Sequence, residues 1–149
     1  MRQIVYNLHF RSKATPTDSE GKVLRATGSA VSGSTTTLVG PEGVASSYTA
    51  QPGDVALFES EVTITAPNVF TERGSISFSE DHRLLFSCFG QGQLIPSTDG
   101  SNLMCGAVTW KVEGGEGQFE GATGLITSNF TLSDTGEVND YQLGLLFVK

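Results

Sequence analysis

The sequence predicts an all-β protein: a single antiparallel, closed β-barrel of about eight strands with little helix, formed by residues 1–149 as one domain. Apolar and polar residues alternate with the period of two that strands require, and no stretch keeps a helical period of 3.6 residues. Turn residues separate these segments. A glycine-rich segment joins two of them, and such glycines form the bends of a closed sheet, which has no exposed edges.

The first half of the chain has the shorter segments. Ile4–Phe10 alternates and predicts a first strand. Arg11–Gly21 has the composition of a loop, Val23–Gly33 is a short strand or irregular segment, and the Ser/Thr-rich run Ser32–Thr37 is typical of a mobile segment. The next predicted turn, strand and turn are Pro41–Gly43, Val44–Ala50 and Pro52–Asp54.

The second half predicts longer strands with one apolar face each. In the first of them, Phe58 and Ile64 lie on one face and Glu59 and Glu61 on the other. Trp110 shares a face with its apolar neighbours two residues away. The predicted strands are Val55–Ala66, Val69–Phe78, His82–Phe89, Met104–Glu113, Leu125–Ser133 and Val138–Lys149.

The glycine-rich segment is Gly114–Gly124, which reads Gly-Gly-Glu-Gly-Gln-Phe-Glu-Gly-Ala-Thr-Gly. It does not match a dinucleotide fingerprint, because Glu120 stands where Gly or Ala is needed and a strand-like segment follows instead of a helix. It also lacks the Gly-Lys-Ser/Thr of a phosphate-binding loop. We therefore interpret it as a bend of the sheet and predict that Phe119 at its centre is buried.

This segment resembles the G-G-[ST]-G-x-F-E-G-A-x-G signature of the allene oxide cyclase barrel superfamily, of which dirigent proteins carry a looser form. The resemblance covers about Thr71–Lys149. It implies a barrel whose interior receives an apolar molecule. In allene oxide cyclases a Glu and an Asn of the first strand point into that interior. Here the corresponding stretch is Tyr6-Asn7-Leu8-His9, which has no acid.

Composition excludes several classes of partner. The formal net charge of −7 argues against nucleic acid, whose binding depends on neutralising phosphates, and against an anionic membrane surface. No apolar run approaches the roughly 20 residues of a membrane-spanning helix. The first ten residues are interrupted by Asn7 and His9 and make a poor secretory signal, so we expect a cytoplasmic protein.

No known catalytic motif occurs, and we expect no cofactor and no metal. His9 and His82 are the only histidines, and Cys88 and Cys105 the only cysteines, which is too few for a usual zinc site. We interpret both cysteines as small buried apolar residues.

Glu72 is the first candidate catalytic residue. It is in phase with Phe70, Ile76 and Phe78, so the carboxyl faces the interior if the two phenylalanines do. A buried carboxyl without a cation has a raised pKa and can donate a proton near neutral pH. The alternative is a strand end or a bulge that turns Glu72 toward water.

Two polar positions and one tyrosine complete the predicted site. Asn7 and His9 alternate with the apolar residues Tyr6, Leu8 and Phe10 of the first strand. The sequence leaves open which of the two faces of this strand is inside. Tyr141 shares a face with three apolar residues of the last strand and is a second catalytic candidate. The predicted substrate-binding residues are Asn7, His9, Phe70, Phe78 and Trp110.

These features favour a barrel that binds an apolar, fatty-acid- or polyketide-like molecule, and that acts as a cofactor-independent cyclase or isomerase. One alternative is a non-catalytic, dirigent-like binding or guiding module, and another is a structural oligomer with a packed interior. Segments such as Leu84–Phe86 and Leu145–Phe147 are apolar on both faces, which predicts a homo-oligomer, dimer or trimer.

Overall fold

The computed structural model describes all residues, 1–149, and 77% of them are in β-strands. The only helical element is one 3-10 turn, Gly117–Phe119, so no helix is long enough to span a membrane. The nine strands are β1 Arg2–Pro16, β2 Val23–Gly40, β3 Gly43–Ala66, β4 Val69–Ser79, β5 His82–Cys88, β6 Gly92–Pro96, β7 Met104–Gly115, β8 Thr123–Leu132 and β9 Glu137–Val148.

All nine strands belong to one antiparallel sheet, which confirms the predicted all-β class. The order β3-β2-β1-β9-β8-β7-β5-β4 returns to its start because β4 also pairs with β3, so eight strands form a ring. The ninth strand, β6, pairs with both β4 and β7. It was not predicted from the sequence, because its five residues are too short to show a period.

Aromatic side chains fill the middle of the ring. Phe86 and Trp110 stack with ring centroids 4.3 Å apart, and Phe58 lies 5.7 Å from each of them. Phe10 lies 5.8 Å from Phe58 and is fully buried. The alternation predicted for the long strands is confirmed, since Phe58, Phe70, Ile76 and Trp110 all point inward. The middle of the ring is therefore tightly packed with aromatic side chains.

The glycine-rich segment closes one end of the ring. Phe119 is buried, as predicted, and its ring lies 5.3 Å from that of Phe78. Gly117 has φ 62°, and a Cβ there would collide with the carbonyl oxygen of Asp81. Next to it, the backbone N–H of Gln118 donates a hydrogen bond of 2.9 Å to Nδ1 of His82. Glycine at this position thus lets the chain lie against the β4–β5 turn and point Phe119 inward.

Three predicted boundaries in the first half are wrong. Strand β1 runs on to Pro16, because Arg11–Pro16 pairs with β2. Ser32–Thr37, predicted as a mobile segment, lies within β2 and pairs with β3 across one register shift. Pro52–Asp54, predicted as a turn, continues β3. The end of β2 and the beginning of β3 form a long two-stranded extension, in which every residue from Ser34 to Val55 is exposed. Polar composition suggested loops here, but backbone pairing decides the structure.

Candidate functional site

A cavity of about 100 Å³ lies inside the ring, at the end opposite Phe119. Twelve of its 16 lining residues are apolar, and the other four are two acids and two serines. The polar residues are Ser12, Glu72, Ser128 and Asp140. Half-buried apolar side chains surround the mouth, namely Ala14, Leu24, Ile64, Leu94, Leu132 and Val138. An apolar cavity with a few converging polar groups is the usual form of a small-molecule site.

Glu72 points into this cavity from β4. The pleat places it on the same inner face as Phe70 and Ile76, and its Oε2 accepts a hydrogen bond of 2.6 Å from the Ser60 hydroxyl on β3. Burial raises the pKa of the Glu72 carboxyl to about 8, the Ser60 bond opposes that rise, and the negative charge of Asp140 adds to it. Glu72 is therefore largely protonated at pH 7.

Asp140 reaches the same cavity from β9 and is held by two hydrogen-bond donors. The Ser128 hydroxyl on β8 donates to its Oδ1, and the Gln142 side-chain amide donates to its Oδ2 at 2.7 Å. Burial raises the pKa of Asp140 to about 6, while both donors and the more distant His9 lower it. Asp140 is thus mostly ionised at pH 7, in contrast to Glu72.

Tyr6 extends this network toward the closed end. Its hydroxyl donates a hydrogen bond of 3.1 Å to Oε1 of Gln142, which leaves the amide of Gln142 to serve Asp140. The ring lies over Gly144, where a Cβ would collide with it. Burial raises the pKa of the Tyr6 hydroxyl well above its ordinary value, and Asp140 adds to that rise. Tyr6 therefore remains a neutral donor that fixes the orientation of Gln142.

Two buried polar atoms of cavity-lining residues have no hydrogen-bond partner of normal geometry. They are Nε1 of Trp110 and the hydroxyl oxygen of Ser12. Trp110 is only 1% exposed, so its N–H is shielded from bulk solvent. The indole is near enough to Glu72 to lower the pKa of that carboxyl, but no hydrogen bond of normal geometry joins them. A buried unpaired donor is uncommon and costs free energy.

The structure brings together three of the predicted site residues. Glu72, Phe70 and Trp110 all line the cavity. Phe78 shares their inner face but lies near the closed end, between Tyr6 at 5.5 Å and Phe119 at 5.3 Å. It contributes to packing there and does not line the cavity.

Asn7, His9 and Tyr141 lie on the outer face, so their predicted position inside the ring is wrong. Tyr141 is 54% exposed, and its ring stacks on that of His9 with centroids 4.5 Å apart. Nε2 of His9 is 3.1 Å from Oδ1 of Asn139, also on the outside. The reason is the pleat: Tyr6, Leu8 and Phe10 occupy the inner face of β1, which turns Asn7 and His9 outward.

Sequence reasoning missed Asp140, Ser128, Ser60, Gln142 and Ser12. The signal for Asp140 was present, since it alternates with Val138, Gln142 and Leu146 on one face of β9. That face has fewer large apolar residues than the opposite face, which carries Tyr141, Leu143, Leu145 and Phe147, so the pattern does not single out Asp140 as buried. The serines give no comparable signal, because serine is common on either face of a strand.

Comparison with known proteins leaves the family of this chain open. No protein-family model matches it, and no curated protein or solved structure matches it with significance.

Proposed function

We propose that the protein binds a small apolar molecule in the interior cavity and moves a proton on it, as a cofactor-independent isomerase or cyclase. One observation carries the proposal: two buried carboxyls, Glu72 and Asp140, reach one apolar cavity with pKa values of about 8 and about 6. Paired groups whose pKa values are separated in this way are the usual arrangement for an acid and a base acting together near neutral pH.

The two carboxyls take different roles. Asp140, ionised at pH 7, removes a proton from a carbon of the ligand, and the electron pair of that C–H bond shifts toward the electron-poor end of the molecule. Glu72, protonated at pH 7, delivers its proton where the negative charge develops. Return of a proton from Asp140 to a different carbon, with recovery of a proton by Glu72, gives the isomer and restores the site. Ser60, Ser128 and Gln142 hold both carboxyls in place.

The glycine-rich signature supports the proposal that the ring is a closed barrel of the allene oxide cyclase type. The absence of an acid on β1 separates this site from the first-strand site of those enzymes, since the acids here are on β4 and β9. A non-catalytic, dirigent-like binding module would use the same cavity without the proton transfer. A structural oligomer with a packed interior is less favoured, because the packed aromatic layer leaves the cavity beside Glu72 unfilled.

The cavity is expected to bind a single small ring. An apolar cavity of about 150 Å³ in another protein binds benzene, so about 100 Å³ is near the lower limit for such a ligand. We expect benzene or cyclohexane to shift the methyl resonances of Leu24, Val62 and Leu94 in NMR spectra and to raise the melting temperature. Larger substrates would enter with one end only.

Filling the cavity tests this prediction. Ala26 is buried and lines the cavity, so Ala26→Ile should abolish binding of benzene. The matched control is Thr27→Ile, which changes the adjacent, exposed residue of β2 and should leave binding intact. Benzene binding that survives Ala26→Ile, or that never occurs in the native protein, would contradict the proposed site.

We also propose that a second copy of the chain covers an apolar area on the outer face. Val5, Leu125 and Leu145 are exposed and adjacent, because Leu145 pairs with Val5 on one side and with Leu125 on the other. Leu143 extends this area along β9. A contiguous apolar area is costly to leave in water and is typical of an interface, and two identical areas can cover each other about a two-fold axis.

The assembly is expected to give a solution mass that is a multiple of 15.8 kDa. Leu145→Glu would bury a charge in the interface, so it should weaken association at least about tenfold. Leu57→Glu, at an exposed leucine of β3, is the control and should not change the mass. Light scattering at micromolar concentration that finds a monomer of the native chain would contradict this proposal.

A further inference from the structure

We infer that the cavity selects an uncharged ligand with an oxygen acceptor, such as a ketone, aldehyde, ester or ether, and that the indole N–H of Trp110 is the donor that holds this oxygen. The inference rests on the proposed ligand site and specifies the chemical class of its ligand. It also makes Trp110 a specificity-determining residue of this site.

The unpaired N–H of Trp110 determines which atom the ligand must supply. An indole nitrogen is only a donor, so an acceptor alone can satisfy it. Trp110 is 1% exposed, and its Nε1 makes no hydrogen bond of normal geometry, although the Glu72 carboxyl is nearby. Leaving such a donor unpaired costs about 1–3 kcal/mol, and a ligand oxygen at this point removes that cost. The Ser12 hydroxyl, also unpaired, is a second donor at the same cavity.

Glu72 adds to the same polar corner. Its Oε2 already accepts a hydrogen bond from Ser60, and in its protonated form the carboxyl has an O–H to donate. The indole N–H and the carboxyl O–H together resemble the paired donors that stabilise negative charge developing on a carbonyl oxygen. The ligand oxygen would therefore be held by the groups that assist the proton transfer.

The charges of the cavity disfavour ligands that carry a carboxylate or an ammonium group. No Lys, Arg or His lines the cavity, which already contains two acids. A ligand carboxylate would add another buried negative group without any cation to balance it. An ammonium group would suit the acids, but it brings only donors and would leave the Trp110 N–H unpaired. A fatty-acid-like ligand would thus have to keep its carboxylate outside the mouth of the cavity.

Four six-membered-ring ligands of similar size provide the test at pH 7: cyclohexanone, cyclohexane, cyclohexylammonium and cyclohexanecarboxylate. The chain contains one tryptophan, so one indole signal in a proton–nitrogen NMR spectrum reports on Trp110 alone. Cyclohexanone should bind about five- to tenfold more tightly than cyclohexane, as one added hydrogen bond implies. It should also move the indole proton downfield, which cyclohexane should not. The two charged ligands should bind at least tenfold more weakly than the ketone.

Two variants distinguish the effect of the hydrogen-bond donors from the effect of cavity size. Trp110→Phe should reduce the preference for cyclohexanone over cyclohexane to about one, and Ser12→Ala should reduce it partly. The preference is a ratio within each variant, so a change in cavity size affects both ligands alike. If Trp110→Phe does not fold, the indole shift in the native protein decides the question.

The outcomes distinguish this inference from the proposed function. Equal binding of ketone and hydrocarbon with an unmoved indole signal overturns the inference and leaves the apolar site standing. Tightest binding by the ammonium or the carboxylate overturns it as well. If none of the four ligands binds in the cavity, the proposed function itself fails.

Discussion

Raising the pH from about 6 to about 8 is expected to lower the free energy of unfolding by roughly 2 to 3 kcal/mol. Glu72 has a folded-state pKa of about 8 against an ordinary value of 4.5. Between these values the unfolded chain has lost the proton that the folded protein still holds, so each rise in pH favours unfolding. Asp140, with a pKa of about 6, contributes mainly below this range.

Glu72→Gln keeps the shape of the side chain and removes its titration. The variant should lose most of this pH dependence. At pH 6, where the Glu72 carboxyl is protonated in the folded protein, its free energy of unfolding should stay closer to that of the native protein. In melting temperature, the native protein should fall by about 5 to 10 °C between the two pH values, and the variant by much less. Glu120→Gln, at an exposed acid, is the control and should behave like the native protein. A native protein equally stable at both pH values, or a variant with an unchanged slope, would contradict the buried, protonated state of Glu72.

The groups around Glu72 support the assignment of the pH dependence of stability to this residue. Asp140 faces Glu72 across the cavity from β9, and Tyr6 is on β1 toward the closed end. His9 is the one histidine that affects Asp140, and it does so from the outer face. The difference between native protein and Glu72→Gln is the informative quantity, because it isolates the titration of Glu72.

Loss of either carboxyl is expected to reduce proton exchange on a bound ketone by about 100-fold or more, the usual contribution of a positioned acid or base. The reaction is exchange of the protons beside the carbonyl of cyclohexanone in deuterated water. Asp140→Asn removes the base, and Glu72→Gln removes the acid. NMR follows the disappearing proton signal, with Glu120→Gln again as the control.

The native rate should also depend on pH in a bell shape. It should rise as Asp140 ionises near pH 6 and fall as Glu72 loses its proton near pH 8, with a maximum near pH 7. Exchange no faster than in buffer, with the ketone bound, would favour the non-catalytic binding module. Exchange that survives both substitutions would place the chemistry elsewhere in the protein.

The inner position of Glu72 could be predicted because β4 has aromatic residues in phase with it and a second face of mainly small and polar residues. The same reasoning failed on β9. Tyr141, Leu143 and Leu145 are on the outer face, while Asp140 and Gln142 share the inner face with Leu146, so the apolar pattern alone does not show which face is buried. Alternation shows that a strand has two faces, but which face is inside depends on the neighbouring strands.

The hydrogen bonds that hold the two carboxyls depend on strands that are distant in the chain. The hydrogen bond from Ser60 to Glu72 depends on the register of β3 with β4, and that from Ser128 to Asp140 on the register of β8 with β9. Nothing local in the sequence specifies these registers. The position of Trp110 in the core was predictable from its apolar neighbours, but its unpaired N–H was not, since only the packed interior shows that it forms no hydrogen bond of normal geometry with the nearby Glu72 carboxyl.

The most direct test of a protonated acid at the centre of this cavity is a carbon-13 NMR titration of the Glu72 side-chain carboxyl, assigned by comparison with Glu72→Gln. The structure predicts a midpoint near pH 8, well above the ordinary value of 4.5. A midpoint near 4.5 would mean that Glu72 is ionised throughout the neutral range, and it would contradict both the acid–base pair and the function proposed for it.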